Sequence, residues 1–151
     1  MAAQPGLAPL IRKAIEAARG YEARNEVTFG VIWADRMEIL REKETGRVGI
    51  IDWGAIERGP LLFDVALSLL WLFPESVAFG EFLQAYLAVA PVSAQELQGL
   101  IYYKALLWAR QSKYYAYRIA ANVTLGNGSP EGNAKHLAQS RQKLEHLLAA
   151  M

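Results

Sequence analysis

The sequence predicts a mainly α domain of the α+β class, with about five to six helices and one small β-hairpin. Apolar residues recur with helical spacing over most of the chain. Two short apolar segments between residues 37 and 53 flank a turn that contains glycine. The 151 residues are 53% hydrophobic and 21% charged, which is typical of a globular protein with one core. We therefore predict a single domain that spans residues 1–151.

The first half of the chain begins with a predicted helix from about Pro9 to Arg24, where apolar residues return every three or four positions. Proline suits the first turn of a helix, because its missing N–H is not needed there. Residues 27–33 are predicted to be extended. Segments 37–42 and 47–53 are predicted to be the two strands of the hairpin, joined by a turn at 43–46.

The second half is predicted to be helical. Ser93 and Glu96 have the spacing of a capping box, which places the start of a long helix there. Ser129 precedes Pro130, and this pair is typical of a helix start. The predicted helices are 61–73, 75–89, about 93–122 and a last one that begins near Ser129.

Composition limits the classes of partner. The net charge is +1, which gives no reason to expect binding to nucleic acid or to a membrane surface. The longest apolar stretch, Val65–Phe73, is far shorter than the ~20 residues that a membrane span needs. The chain has no cysteine and no apparent signal peptide, so we expect a cytoplasmic protein.

The most informative motif is Ile51-Asp52-Trp53-Gly54. An apolar strand delivers the carboxylate of Asp52 to a turn that ends in glycine, and a second acid, Asp64, opens an apolar helix twelve positions later. In two-lobed enzymes, the end of a buried strand is a common place to hold a metal-bound phosphate. Asp52 is therefore either a metal ligand or part of a structural turn. Asp64 is predicted to cap the following helix.

This motif, continued by Gly59 and by the run Phe63-Asp64-Val65-Ala66, resembles the C-terminal lobe of the aminoglycoside phosphotransferase and choline kinase family. These enzymes are relatives of the protein kinases. The resemblance implies a kinase-like C-lobe fold. It also implies that Asp52 binds magnesium, while Asp64 and Gly54 are structural residues of the loop.

The sequence departs from this family in the catalytic loop. The family pattern is His-Gly-Asp, four further residues and Asn. Counted back from Asp52, the catalytic Asp falls on Trp33 and the metal-binding Asn falls on Glu38. An indole only donates hydrogen bonds, so Trp33 cannot act as a base and is predicted to be structural. Glu38 still offers oxygen ligands to magnesium. Asp52 and Glu38 are thus predicted as a metal pair that lacks a base.

A second alignment, shifted by two residues, places Asp35 at the catalytic position. This alignment retains a base, but it moves the Asn position to Leu40, which binds nothing. It also requires a loop that is two residues shorter before the hairpin. Both alignments remain open from the sequence.

The family's N-terminal lobe, which holds the nucleotide, has no counterpart in the sequence. Only about 26 residues precede the loop, and they are predicted to be helical. Two hypotheses follow. The chain is either a catalytically degenerate binding or interaction module, or an ATP-dependent small-molecule kinase whose N-lobe is supplied in trans or is missing here. No cofactor is expected for the chain alone, whereas Mg and ATP belong to the kinase hypothesis.

Two surfaces are candidates for binding. The long predicted helix mixes basic residues such as Arg118 with tyrosines, which indicates either a stacking surface for a ligand or an ordinary amphipathic helix. Without an N-lobe, the surface around Phe29, Trp33, Met37 and Trp53 is predicted to be partly apolar and uncovered. We expect either a homodimer or a protein partner on this surface, unless the first helix covers it.

Overall fold

The chain divides into two compact units in a computed structural model. The structure describes residues 5–33, 38–51, 54, 56–71, 77–124 and 128–151, without the side chains of Glu38, Trp71, Val77 and Ala78. The first unit is Met1–Glu26 with Ile101–Met151, and the second is Val27–Leu100. The single domain expected from the sequence stays a prediction.

Two antiparallel strand pairs lie in the second unit. Strand β1 (Phe29–Trp33) pairs with β4 (Ile56–Pro60), and β2 (Glu38–Arg41) pairs with β3 (Val48–Ile51). The β2–β3 pair is the hairpin that the sequence predicts. Gly46 takes a left-handed φ of 71° in its turn, a conformation that glycine adopts without strain. The β1–β4 pair was not predicted.

Helix α2 (Leu61–Trp71) follows β4 directly and packs on the β1–β4 pair. Leu62 is fully buried. Gly30 lies opposite Gly59 in the ladder, and a Cβ atom on Gly30 would lie 2.6 Å from Leu61 Cδ2. The glycine thus lets the helix approach the strand. Helix α3 (Val77–Leu87) and a short 3₁₀ helix (Glu96–Gly99) also belong to this unit.

The described part of the first unit contains three helices: α1 (Leu7–Glu22), α4 (Leu100–Ala120) and α5 (Pro130–Ala149). Small residues on α1 and α4 meet leucines of α5, which lets the helices pack closely. Ser129 caps α5 as predicted, since its Oγ accepts a hydrogen bond of 2.9 Å from the Gly132 N–H. The buried core cluster consists of Ala14, Ala105, Ala109, Leu144 and Leu148.

The five helices and small strand pairs confirm the mainly α fold that the sequence predicts. One boundary differs. The helix expected from residue 93 begins as the 3₁₀ helix, and α4 starts only at Leu100. Ser93 Oγ does accept from the Glu96 N–H at 3.0 Å, but the Glu96 carboxylate bonds to Thr28 instead of returning to Ser93. No helix in the described ranges has the length and hydropathy of a membrane span.

Ser112 on α4 carries a buried hydroxyl group without a hydrogen-bond partner. The buried helical residues Ser68 and Ser140 donate instead to the carbonyl oxygen four residues earlier. An unsatisfied buried polar group costs about 1–3 kcal/mol.

We therefore expect Ser112→Ala to raise the free energy of unfolding by about 1 kcal/mol, measured by urea denaturation. Ser140→Ala serves as the matched control, since it removes a satisfied hydroxyl group and is expected to lower stability or leave it unchanged. A loss of stability in Ser112→Ala would contradict the assignment of an unsatisfied group.

Candidate functional site at the end of the first strand

The end of β1 is the position that the family resemblance assigns to the catalytic loop. Trp33 is the last residue of this strand, and its side chain is buried, with 9% of the residue exposed. Its backbone N–H donates a hydrogen bond of 3.1 Å to Asp64 Oδ1 in the first turn of α2. The strand end is therefore fixed by a side chain that lies 31 residues further along the chain.

The Asp64 carboxyl group is in an environment that disfavours its charge. Burial raises the pKa of Asp64 above its ordinary value of 3.8, and the hydrogen bond from the Trp33 N–H offsets part of this rise. The prediction that Asp64 caps the following helix is wrong, because α2 begins at Leu61 and Asp64 Oδ1 accepts from the backbone of Trp33 instead. Its structural role in the loop stays a prediction.

A second carboxylate holds the residue before β1. The Thr28 N–H donates to Glu96 Oε1 at 2.7 Å, and Thr28 Oγ1 donates to Glu96 Oε2 at 2.8 Å. Glu96 is 6% exposed. Hydrogen bonds to a charged acceptor are stronger than those between neutral groups. Strand β1 is thus held near both ends by carboxylates from later helical segments.

Both carboxylates affect the pKa of Tyr86 on α3. Burial, followed by the negative charges of Asp64 and Glu96, raises the pKa of Tyr86 to about 12. The phenol group therefore stays protonated at neutral pH. The Tyr86 phenol group is thus coupled electrostatically to both Asp64 and Glu96.

The structure describes only some of the predicted site residues. Asp35, Asp52 and Trp53 lie outside the described residues. Glu38 begins β2, but its side chain is outside the description as well. Gly54 is exposed. Among the residues described, no three acidic or histidine side chains are grouped to hold a metal ion. Metal binding by Asp52 and Glu38, and catalysis by Asp35, stay predictions.

The buried state of Trp33 corrects one part of the surface expectation. Phe29 is 49% exposed, as expected for an uncovered face, but the Trp33 side chain is packed inside. Met37 and Trp53, the other two residues predicted on this face, lie outside the described residues. The sequence also gave no indication of the Thr28–Glu96 pair, because its residues are 68 positions apart and Glu96 was assigned to a helix cap.

A polar cluster in the first unit joins α4 to α5, and we call it the α4–α5 clasp: Tyr114, Arg118, Val123 and Asn133. Arg118 donates to Asn133 Oδ1 at 3.1 Å and to the Tyr114 hydroxyl at 2.9 Å. Asn133, 3% exposed, donates in turn to the Val123 carbonyl at 3.1 Å. Arg118, taken from the sequence as part of a basic and aromatic helix face, thus makes intramolecular contacts that close the loop.

The order of elements, with a helix, a strand, a hairpin, a returning strand and further helices, is that of a kinase-like C-lobe. A search of solved structures supports this fold class. The matching structure is the crystal structure of a thermostable mutant of aminoglycoside phosphotransferase APH(4)-Ia in its apo form, with a TM-score of 0.63 and 14% sequence identity.

The match covers 98% of this chain but only 46% of the phosphotransferase chain. The chain therefore spans less than half the length of the solved structure that it resembles. No family model matches the sequence, and no curated protein matches it either. At this level of identity, the comparison establishes the fold.

Proposed function

We propose that this chain is a catalytically degenerate kinase-like C-lobe that acts as a binding or interaction module. The observation that carries the proposal is the buried indole of Trp33, at the position that the family resemblance assigns to the catalytic Asp. A general base must reach the hydroxyl group that it deprotonates, and its loss typically removes ~10²–10⁴ in rate. Trp33 offers no basic lone pair, and its backbone N–H is bonded to Asp64.

We expect no measurable phosphotransfer from ATP by this chain alone. The assay combines the chain with Mg²⁺, ATP and either an aminoglycoside or choline, and follows ADP release. Calorimetry with Mg²⁺ and ATP tests nucleotide binding separately. Asp52→Ala is the matched control, because it removes the predicted metal ligand. ATP turnover above background that disappears in Asp52→Ala would overturn the proposal.

A second candidate function is a small-molecule phosphotransferase that is completed by a separate N-lobe. The 46% coverage of the matching structure favours it, since the remainder of that chain has no counterpart here. Carboxylate oxygens suit magnesium, so Asp52 and Glu38 would hold the ion, which would supply positive charge to the nucleotide phosphates. Activity that is lost in Asp35→Asn would support this function, together with the shifted alignment of the catalytic loop.

A further inference from the structure

The whole-chain charge of +1 conceals an uneven division of charge between the two units. The first unit, Met1–Glu26 with Ile101–Met151, contains eleven Lys and Arg residues against five Asp and Glu residues, a formal charge of +6. The second unit contains five such cations and ten anions, a formal charge of −5. An excess of one sign raises the local concentration of oppositely charged molecules. The first unit is therefore expected to attract anionic partners.

Helix α4 carries much of this positive charge. Its 21 residues include four Lys and Arg side chains and no Asp or Glu. The acids of the first unit lie elsewhere in the sequence, three of them before residue 27 and two on α5. One of the two on α5, Glu145, is paired with Arg141 at 2.8 Å. No acid of its own helix therefore neutralises the charge of α4.

One face of α4 combines cations with exposed tyrosines, and we call it the α4 stripe: Arg110, Lys113, Tyr114 and Tyr117. Positions with the spacing i, i+3, i+4 and i+7 lie on one face of a helix, and all four residues are exposed. The exposed fraction is 48% for Tyr114 and 65% for Tyr117. Another face of the same helix packs into the core through small residues. The α4 stripe is thus a surface that the fold of the first unit leaves accessible.

Contacts with neighbouring side chains hold Tyr114 in place. The guanidinium carbon of Arg118 lies over its ring, 5.6 Å from the centroid, and the ring of Tyr115 meets it in a T-shaped arrangement at 5.2 Å. Its hydroxyl group accepts a hydrogen bond of 2.9 Å from Arg118. A side chain that is already ordered loses less conformational entropy on binding. Tyr114 is therefore pre-organised to contact a partner.

The composition of the α4 stripe favours a protein over the other common polyanions. Tyrosine and arginine are enriched among the residues that dominate the binding energy of protein interfaces. Single-stranded nucleic acid needs open rings for stacking and sites of about 4–16 nucleotides. Arg118 already covers one face of the Tyr114 ring, and the stripe is only roughly 10 Å long at 1.5 Å per residue. Helices that bind a lipid surface insert an apolar face, and the stripe has no aliphatic side chain.

We propose that the α4 stripe binds an acidic segment of a partner protein. Arg110 and Lys113 lie next to the carboxylates of this segment, and Tyr114 and Tyr117 contact its methylene groups. The proposal names the partner class of the interaction module described in the previous section, and it rests on that function.

The test is the fluorescence anisotropy of a labelled oligo-glutamate peptide titrated with the purified chain. We expect saturable binding that weakens as the salt concentration rises, because exposed charges are screened. Lys113→Glu should raise the dissociation constant at least ~10-fold. Lys43→Glu is the matched control, because Lys43 is exposed in the second unit and the change in net charge is the same. No binding, or equal weakening by both substitutions, would overturn the proposal.

Tyr117→Ala tests the aromatic part of the α4 stripe without changing the charge. Because Tyr117 is 65% exposed, the fold is expected to tolerate its loss, and the variant remains decisive if Lys113→Glu fails to fold. The dissociation constant for the peptide should rise about 5-fold. An unchanged constant would contradict the proposal.

Two further probes separate an acidic protein segment from other anionic partners. Labelled oligothymidylate stands for single-stranded nucleic acid, and vesicles that contain phosphatidylserine stand for a membrane surface. Tighter binding of either probe than of the peptide would overturn the proposal, and weaker binding of both would support it. ATP turnover would overturn the proposed function but not peptide binding, whereas failure of the peptide to bind would overturn only the docking proposal.

Discussion

Asp64→Ala is expected to lower the free energy of unfolding by about 2 kcal/mol. The substitution removes the acceptor of the Trp33 N–H, which closes the end of β1 at 3.1 Å, and leaves that donor in a partly buried place. Thermal and urea denaturation measure the loss. Asp64→Asn retains an oxygen acceptor and should cost less. Equal stability of the alanine variant and the native chain would show that the hydrogen bond contributes nothing.

The stability of the native chain is expected to depend on pH in a way that the stability of Asp64→Asn does not. Since the folded-state pKa of Asp64 is raised above 3.8, the folded state binds the proton more tightly than the unfolded state. The proton-linked part of the Asp64 contribution to stability is fully present below pH 3.8 and is lost as the pH rises through the raised pKa, whereas the hydrogen bond from the Trp33 N–H remains. We expect the stability of the native chain relative to Asp64→Asn to fall across this window. A relative stability that rises with pH there would contradict the burial of Asp64.

Asn133→Ala is expected to lower the free energy of unfolding by about 1–3 kcal/mol. It removes the acceptor of the Arg118 Nε–H and one of the two donors to the Val123 carbonyl, which also accepts from Arg118 Nη2 at 3.5 Å. Because Asn133 is 3% exposed, water cannot readily replace the amide. Urea denaturation measures the loss.

A double-mutant cycle with Arg118→Ala separates the clasp from general packing. Residues of one hydrogen-bond network show coupling energies of about 0.5–3 kcal/mol. Tyr117→Ala on the same helix is the control, since Tyr117 is 65% exposed and should change stability by no more than ~0.5 kcal/mol. Additive effects of the Asn133 and Arg118 substitutions would show that the two side chains do not act together.

Local patterns predicted the elements well. The first helix was expected over 9–24 and is observed at Leu7–Glu22, because its apolar periodicity is strong. The hairpin was found because its apolar strands flank a glycine turn. The break between the 3₁₀ helix and α4 was not expected. The Glu96 carboxylate, which was expected in a helix cap, bonds to Thr28 instead.

Strand β4 shows where the sequence carries no local signal. Ile56-Glu57-Arg58-Gly59-Pro60 contains two charges, a glycine and a proline, and none of these favours a strand. Its pairing with β1 comes from tertiary structure. The burial of the Trp33 side chain likewise comes from tertiary structure. The first of the two alignments assigns the catalytic position to Trp33, but the burial of this side chain depends on packing against elements that follow it in the chain.

The way in which β1 is held has a consequence for the folding kinetics. Its contacts join Thr28 to Glu96 and Trp33 to Asp64, across 68 and 31 residues respectively. Closing such loops costs entropy before any contact forms, and distant contacts slow folding. The β2–β3 hairpin and the individual helices close over short distances and have no such delay. We therefore expect strand β1 to form late in the folding of the second unit. The strand end that the family resemblance assigns to the catalytic loop would then be among the last parts of this unit to form.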